Sequence, residues 1–399
     1  MGGKCDYCDF YSVPVNEKND YGLMDSFVNT VIEDAADQLV FFDIKHVPSV
    51  YIGGGTPSAL GVTLMERLLA GLTALIKPLY SACVSYPEFT VEANPETVNE
   101  AFLQACIKGG VNRISLGIQT FHEPSLHAVH RGNGLTNECI TRGLALTAEY
   151  FPNAFSADLI TGLPLQTMDI LENDIHRLMA FNPAHVSLYS LILEPETPLG
   201  KKAAEHGAVQ LSLPCSDDAD SLWIAGRDML INNSLAQYEV SNFALPGKTC
   251  THNIRYWRME NWIGAGPVAS GTIIDETAGT RHPEVAARRY TYPADIETWL
   301  AAPRPRIRSA NTEKLSRANL IRESLLMGFR YREGPDILGF KHRFGCSIAD
   351  CIPHSIARWS ERGFFETVRP DRLAPSWDGL LFLNGFLADS FAELDGKDL

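Results

Sequence analysis

The chain has 399 residues, 45% of them hydrophobic, and a formal net charge of -14. That length suits one large α/β domain with a smaller one beside it, and the acidic balance excludes a general nucleic-acid surface, which needs clustered Lys and Arg. No run approaches the roughly 20 uninterrupted apolar residues of a membrane span; the opening MGGKCDYCDFY lacks the apolar core of a signal peptide, and nine scattered cysteines point to a reducing compartment, so a cytoplasmic location is expected.

The first feature in chain order is Cys5-Asp6-Tyr7-Cys8. Such a pair is a redox dithiol, half a zinc site or part of an iron–sulfur site. A zinc site needs two more Cys or His nearby, and none occurs before His46. A thioredoxin-like pair follows a strand, and no strand pattern precedes this one. The aromatic residues Tyr7, Phe10 and Tyr11 suit a shielded cluster. A cluster with one open iron needs three thiolates, most compactly as C-x-x-x-C-x-x-C, and the position four before Cys5 is Met1. The chain as it stands is therefore expected to assemble a four-iron cluster poorly, because thioether ligation at a flexible end is weak.

From about 48 to 195 short apolar runs at 50–52, 89–91, 113–116, 156–160 and 186–189 alternate with helical patterns at 64–76, 98–108, 135–150 and 168–180. Strands alternating with helices of this length predict βαβ units and a parallel sheet. Polar residues stand just after these strands, where parallel α/β folds carry their sites. Gly53-Gly54-Gly55-Thr56 ends the first run. It fits neither a dinucleotide fingerprint nor a phosphate loop, so NAD and ATP are poorly supported. Glu92 and Gln119 end the next two, Arg131 follows twelve residues after Gln119, and Asp158 lies within an apolar strand. Each alone reads as readily as a surface group or a turn. As a set on successive strand ends they are suited to ribose hydroxyls and the carboxylate of a zwitterionic nucleoside.

After about 200 the alternation weakens. A helix is predicted over 217–235, then a Gly- and aromatic-rich segment over 238–273. Residues 310–398 read as helices at 315–327 and 348–361 with a hairpin and closing helix at 364–386. That is a winged-helix shape without a basic recognition face, so packing or a partner role is expected. The expected division is 1–235, 236–309 and 310–399.

The ordered series Cys5–Phe10, Gly53–Ser58, Val91–Pro95, Arg113–Gln119, Asp158–Pro164, Leu193–Leu199, Tyr238–Ala244 and His252-Asn253-Ile254-Arg255-Tyr256-Trp257 resembles the radical S-adenosylmethionine (SAM) superfamily. It is similar to the proteins around oxygen-independent coproporphyrinogen III oxidase, and most to their haem chaperone branch, HemW. The resemblance implies an α/β fold, a partial (βα)6 radical SAM barrel lacking its first strand, with a helical, winged-helix-like C-terminal module. It implies a [4Fe–4S] cluster with Cys5 and Cys8 as two ligands and an N-terminus cut at the first cluster cysteine. It implies SAM held by Gly53, Gly54, Gly55, Thr56, Glu92, Gln119, Arg131 and Asp158. Haem would be bound with His252 as iron ligand and passed to a membrane or respiratory haem acceptor. Oxidases of the group carry a cysteine where Phe10 stands, so coproporphyrinogen oxidase activity is the alternative and a degenerate, cluster-free binding protein the second. Relatives read Tyr-Gly-Leu-Pro-Gly-Gln where this chain has Thr161–Gln166, and Gly-Pro-Gly-Ala-His-Ser where it has Gly266–Gly271; glycines are thus replaced by Leu165 and Val268.

Overall fold

The five apolar runs become parallel strands in the computed structural model, which describes residues 4–15, 19–79, 86–131, 135–275, 285–367, 369–395 and 397. Met1 lies outside these described residues. The chain divides into two compact units, Met1–Gln237 with Ser241–Thr249, and Tyr238–Val240 with Cys250–Leu399.

In the first unit β1 (Ser49–Ile52), β2 (Glu88–Ala93), β3 (Arg113–Gln119), β4 (Phe155–Thr161) and β5 (His185–Ser190) pair in parallel with their sequence neighbours. Two short strands, β6 (Ala236–Gln237) and β7 (Asn242–Ala244), complete the order β1-β2-β3-β4-β5-β7-β6, with β7 antiparallel to β5. Among the described residues no strand precedes β1. Helices α1 (Tyr21–Phe41), α2 (Gly61–Ile76), α3 (Glu100–Lys108), α4 (Glu123–Ala128), α5 (Asn137–Tyr150), α6 (Met168–Met179), α7 (Pro198–His206) and α8 (Ser216–Asn232) accompany the sheet. Four of them start where side-chain caps dictate. Asn99, Thr136, Thr167 and Thr197 accept backbone N–H groups of α3, α5, α6 and α7, each cap contributing about 1 kcal/mol.

The two-residue period of the strands separates two faces. Phe89, Val91, Ala93, Ile114, Leu116, Ile118, Ala157, Leu159, Val186 and Leu188 join one core cluster with residues of the helices. The opposite face carries Thr90, Glu92, Arg113, Ser115, Ser156, Asp158, His185 and Ser187, residues that the strand register sets in adjoining rows. A face that is polar and yet largely withdrawn from water marks the inside of a partial barrel, where each group needs a partner or a ligand.

One continuous helical stretch, Pro57–Leu79, is long and apolar enough by length and composition to cross a membrane. Its central helix α2 buries Leu64, Met65, Leu68, Leu69 and Ile76 and connects β1 to the strand paired directly beside it. Those two facts make it a crossover helix of a βαβ unit.

The second unit holds α9 (Thr251–Trp257), an antiparallel sheet of β8 (Ser270–Ile274), β9 (Ala287–Thr291) and β10 (Asn311–Leu315), and α10 (Ile296–Ala301). Helices α11 (Arg317–Gly328), α12 (Ile337–Phe344), α13 (Ile348–Cys351), α14 (Pro353–Glu361), α15 (Trp377–Leu381) and α16 (Leu383–Leu394) follow, with a hairpin of β11 (Phe365–Glu366) and β12 (Ala374–Pro375). Ile274, Ala287 and Leu315 of the sheet share one core with Leu325 and Phe386 of the helices and with Phe329, the residue just after α11. Phe386 stacks on Phe364 at 4.5 Å and meets Phe329 at 4.7 Å. The single helix expected over 348–361 is instead two. Pro353 lacks the N–H that would continue α13, and Ile352 leaves helical geometry at φ −134°.

Candidate functional site

The glycine-rich turn begins directly after β1, and its shape is set by the neighbouring strand. Glu92 reaches back from β2 to accept the Gly54 N–H at 3.1 Å and the Tyr51 hydroxyl at 2.8 Å. Tyr51 and Gly53 are two apart, so Gly53 continues beyond β1 the side of the strand that carries Tyr51. Gly54 has φ +107°, a conformation that L side chains rarely adopt. Gly53, Gly54 and Gly55 are all exposed, which leaves the turn's backbone open to a ligand. Thr56 is tied into the same edge by the Asn94 side-chain amide, which donates to its hydroxyl at 3.0 Å.

A second group forms around Arg131, which is only 6% exposed. Its Nε donates to Gln119 Oε1 at 2.7 Å, and its terminal nitrogens reach Glu96 Oε1 at 3.1 Å, Asn94 Oδ1 at 2.9 Å and the Gly117 carbonyl at 2.9 Å. Gln119 itself sits at φ +61°, at an irregularity in the register between β3 and β4. Asn94 joins the two groups, since it bonds Thr56 through its amide nitrogen and Arg131 through its oxygen. Asp158 lies in the row beside Gly117 and accepts the Ser115 hydroxyl at 3.4 Å.

Electrostatics follow from this enclosure. Burial pushes the Glu92 carboxyl up to about 7, outweighing the Tyr51 hydroxyl, while the nearby Asp158 raises it further. Burial raises Asp158 as well, against the hydroxyls of Ser187 and Ser115 and the charge of Arg113. A carboxyl raised in the folded state holds its proton longer there than in the unfolded chain, so its stability contribution is present at low pH and lost as pH rises. For Glu92 the window runs from its ordinary 4.5 to about 7. We expect stability of the ligand-free protein to fall across it, by on the order of 3 kcal/mol from this group. Glu92→Gln should flatten the fall, as read by urea unfolding at successive pH values; an unchanged slope counts against the buried acid.

The C-x-x-C loop is pinned at its centre. Asp6 donates its backbone N–H to Val129 O at 2.9 Å, and its own carbonyl accepts Leu199 N–H at 2.8 Å. Cys5 and Cys8 are free thiols, both half-buried. Burial raises the Cys5 thiol, and the nearby Arg131 charge and the Tyr7 hydroxyl pull the other way. Tyr7 packs against a small cluster of Val129, Ile160, Leu163 and Leu199.

His252 belongs to the second unit, on α9, where its ring meets Tyr256 edge-on at 5.1 Å. Tyr256 in turn lies 4.8 Å from Trp262. The Trp257 indole N–H is buried without a hydrogen-bond partner.

The geometry thus gathers Gly53, Gly54, Thr56, Glu92, Gln119, Arg131 and Asp158 along one set of strand ends, and leaves His252 in the other unit. Reading the sequence missed Tyr51, Asn94 and Glu96. Tyr51 had a signal in its two-residue spacing from Gly53, and Asn94 one in its place two after Glu92. Glu96 had none.

The parallel sheet and its strand-end arrangement are those of a radical SAM protein. Residues 2–178 match the model of the Radical SAM superfamily. The chain belongs to the HemW family within that superfamily. It is 34% identical to "Heme chaperone HemW" of Lactococcus lactis over 346 residues, which are 86% of this chain and 83% of that protein. It is 32% identical to "Radical S-adenosyl methionine domain-containing protein 1, mitochondrial" of Mus musculus over 406 residues, covering 98% of this chain and 85% of that one. Among solved structures, the coproporphyrinogen III oxidase HemN of Escherichia coli superposes with a TM-score of 0.75 at 18% identity, over 97% of this chain and 86% of that chain. At that identity the likeness is one of fold.

Proposed function

We propose that this protein is a haem chaperone, which binds haem and delivers it to a membrane or respiratory haemoprotein from the cytoplasm. The observation that carries the reading is the 34% identity to a named haem chaperone across 86% of the chain. His252 adds a chemically apt iron ligand, held against Tyr256 within an aromatic group.

SAM fits the first unit. Thr90 Oγ1 and Asn242 Oδ1 are buried there without a hydrogen-bond partner, and the glycine turn is open at the end of β1, the strand paired with that of Thr90. In this reading Gly53, Gly54, Gly55 and Thr56 receive the amino-acid end of SAM. Glu92, Gln119, Arg131 and Asp158 orient its carboxylate and ribose. The [4Fe–4S] cluster of radical SAM proteins supplies one electron to the SAM sulfonium when bound. Cys5 and Cys8 would hold it here. Among the described residues no group of three or more His, Cys, Asp or Glu completes a metal site. In this reading the cluster and SAM are structural or regulatory cofactors. Phe10, 63% exposed, stands against the oxidase reading.

The test is a haem titration of the purified full chain. Wild type should give a Soret band saturating near one haem per chain, and His252→Ala should shift that band or weaken binding about ten-fold or more. A wild type that does not bind haem sinks the chaperone reading; an unchanged His252→Ala titration removes His252 as ligand.

A further inference from the structure

Asp6 stands between the two cysteines and is 7% exposed. Its Oδ2 accepts the Lys202 ammonium at 2.7 Å and lies 2.9 Å from His130 Nδ1. Lys202 is on α7, and Leu199, which also bonds Asp6, is in the first turn of the same helix. His130 is flanked by Val129, which accepts the Asp6 N–H, and by Arg131, the centre of the strand-end group. Residue 6 is therefore held through both its backbone and its carboxylate, by two elements far apart in sequence. Burial acts to raise the Asp6 carboxyl, yet the bonds from Lys202 and His130 hold it below its ordinary value.

We infer that Lys202 is a positioning residue. Acting through Asp6, it clamps the Cys5–Cys8 loop and joins it to the segment Val129–His130–Arg131, so that the thiols and the strand-end group hold one fixed arrangement. The clamp gains its functional meaning from the reading of Cys5 and Cys8 as metal ligands, on which it rests. A loop fixed only at its backbone would open more often; a charge-assisted clamp on a mostly buried carboxylate lowers the open population.

The experiment uses the full chain, reduced and free of iron, with iodoacetamide as the thiol probe and peptide mass spectrometry as the readout. In Lys202→Met, alkylation of Cys5 and Cys8 should speed up about three- to ten-fold. The exposed Cys215 should react at its wild-type rate, and Lys202→Arg should restore slow labelling. Asp6→Asn, which keeps the size of the side chain, should give the same increase if Lys202→Met folds poorly. Unchanged rates at Cys5 and Cys8, or an equal rise at Cys215, overturn the inference. Iron and sulfide uptake by the wild type is measured separately. A wild type that takes up none retires the ligand reading, while the labelling rates still decide the clamp.

Discussion

Replacing Arg131 by Met is expected to cost about 3–5 kcal/mol of stability, the range for removing one partner of a buried ion pair. The guanidinium is 7% exposed in its side chain, while that of Glu96 is 33% exposed, which places the loss toward the lower end. What makes it large is the number of acceptors left behind. Gln119, Asn94, Glu96 and the Gly117 carbonyl each lose a donor at 2.7–3.1 Å, and a thioether can replace none of them. Arg131→Lys should recover less than half, because one ammonium cannot address a planar fan of four acceptors. Urea unfolding of the purified variants measures this directly. If the site binds SAM as proposed, calorimetric titration should lose its heat in both variants, since Gln119 and Asn94 are no longer oriented. A Met variant within about 1 kcal/mol of wild type contradicts the view of Arg131 as the centre of the strand-end group.

That centre was visible in the sequence only as a residue. The parallel strands were legible because each puts apolar side chains on its helix-facing side, as in Ile114, Leu116 and Ile118 of β3. The polar residues between them marked the strand ends and so located Glu92, Gln119 and Asp158. What the sequence withheld was pairing across distance. Asp6 and Lys202 are 196 positions apart, and Arg131 and Glu96, 35 positions apart, lie in successive βαβ connections; no local pattern encodes either contact. Helix α1 was missed for a different reason. Two of its buried positions are Asp34 and Gln38, which bond each other at 3.1 Å, so polar residues interrupt the apolar stripe by which a helix is read. Two non-glycine residues show the reverse, a backbone held against the preference of the residue that occupies it. Leu165 and Val268 keep φ at +65° and +61°, left-handed geometry that costs a branched side chain about 1–2 kcal/mol. The fold around them therefore holds the turn against the preference of its own residue.

Gly53 presents the opposite case, a glycine whose replacement the neighbours forbid. A Cβ built there lies 2.8 Å from Glu92 Cδ and Oε2 and 2.8 Å from Tyr51 Cε1. The carboxylate is the end of a flexible side chain, but it is not free to swing. Tyr51 and Gly54 both bond it, and moving it aside breaks one bond or the other in a site where burial already holds its pKa high. Gly53→Ala is therefore expected to destabilise by about 1–3 kcal/mol, the range for inserting a methyl group into a packed site. If Glu92 and the turn receive SAM, affinity for SAM should fall about ten-fold or more in the same variant. Gly55 provides the control two residues away. Among the described residues a Cβ there meets only Ser12 Cβ, at 3.9 Å, and its φ lies outside the left-handed region, so Gly55→Ala should stay within about 0.5 kcal/mol of wild type. Urea unfolding of both variants separates the two positions, and SAM titration of Gly53→Ala checks the loss of affinity. If Gly55→Ala proves as damaging as Gly53→Ala, the turn needs flexibility throughout, and the Glu92 contact is not what requires glycine at position 53.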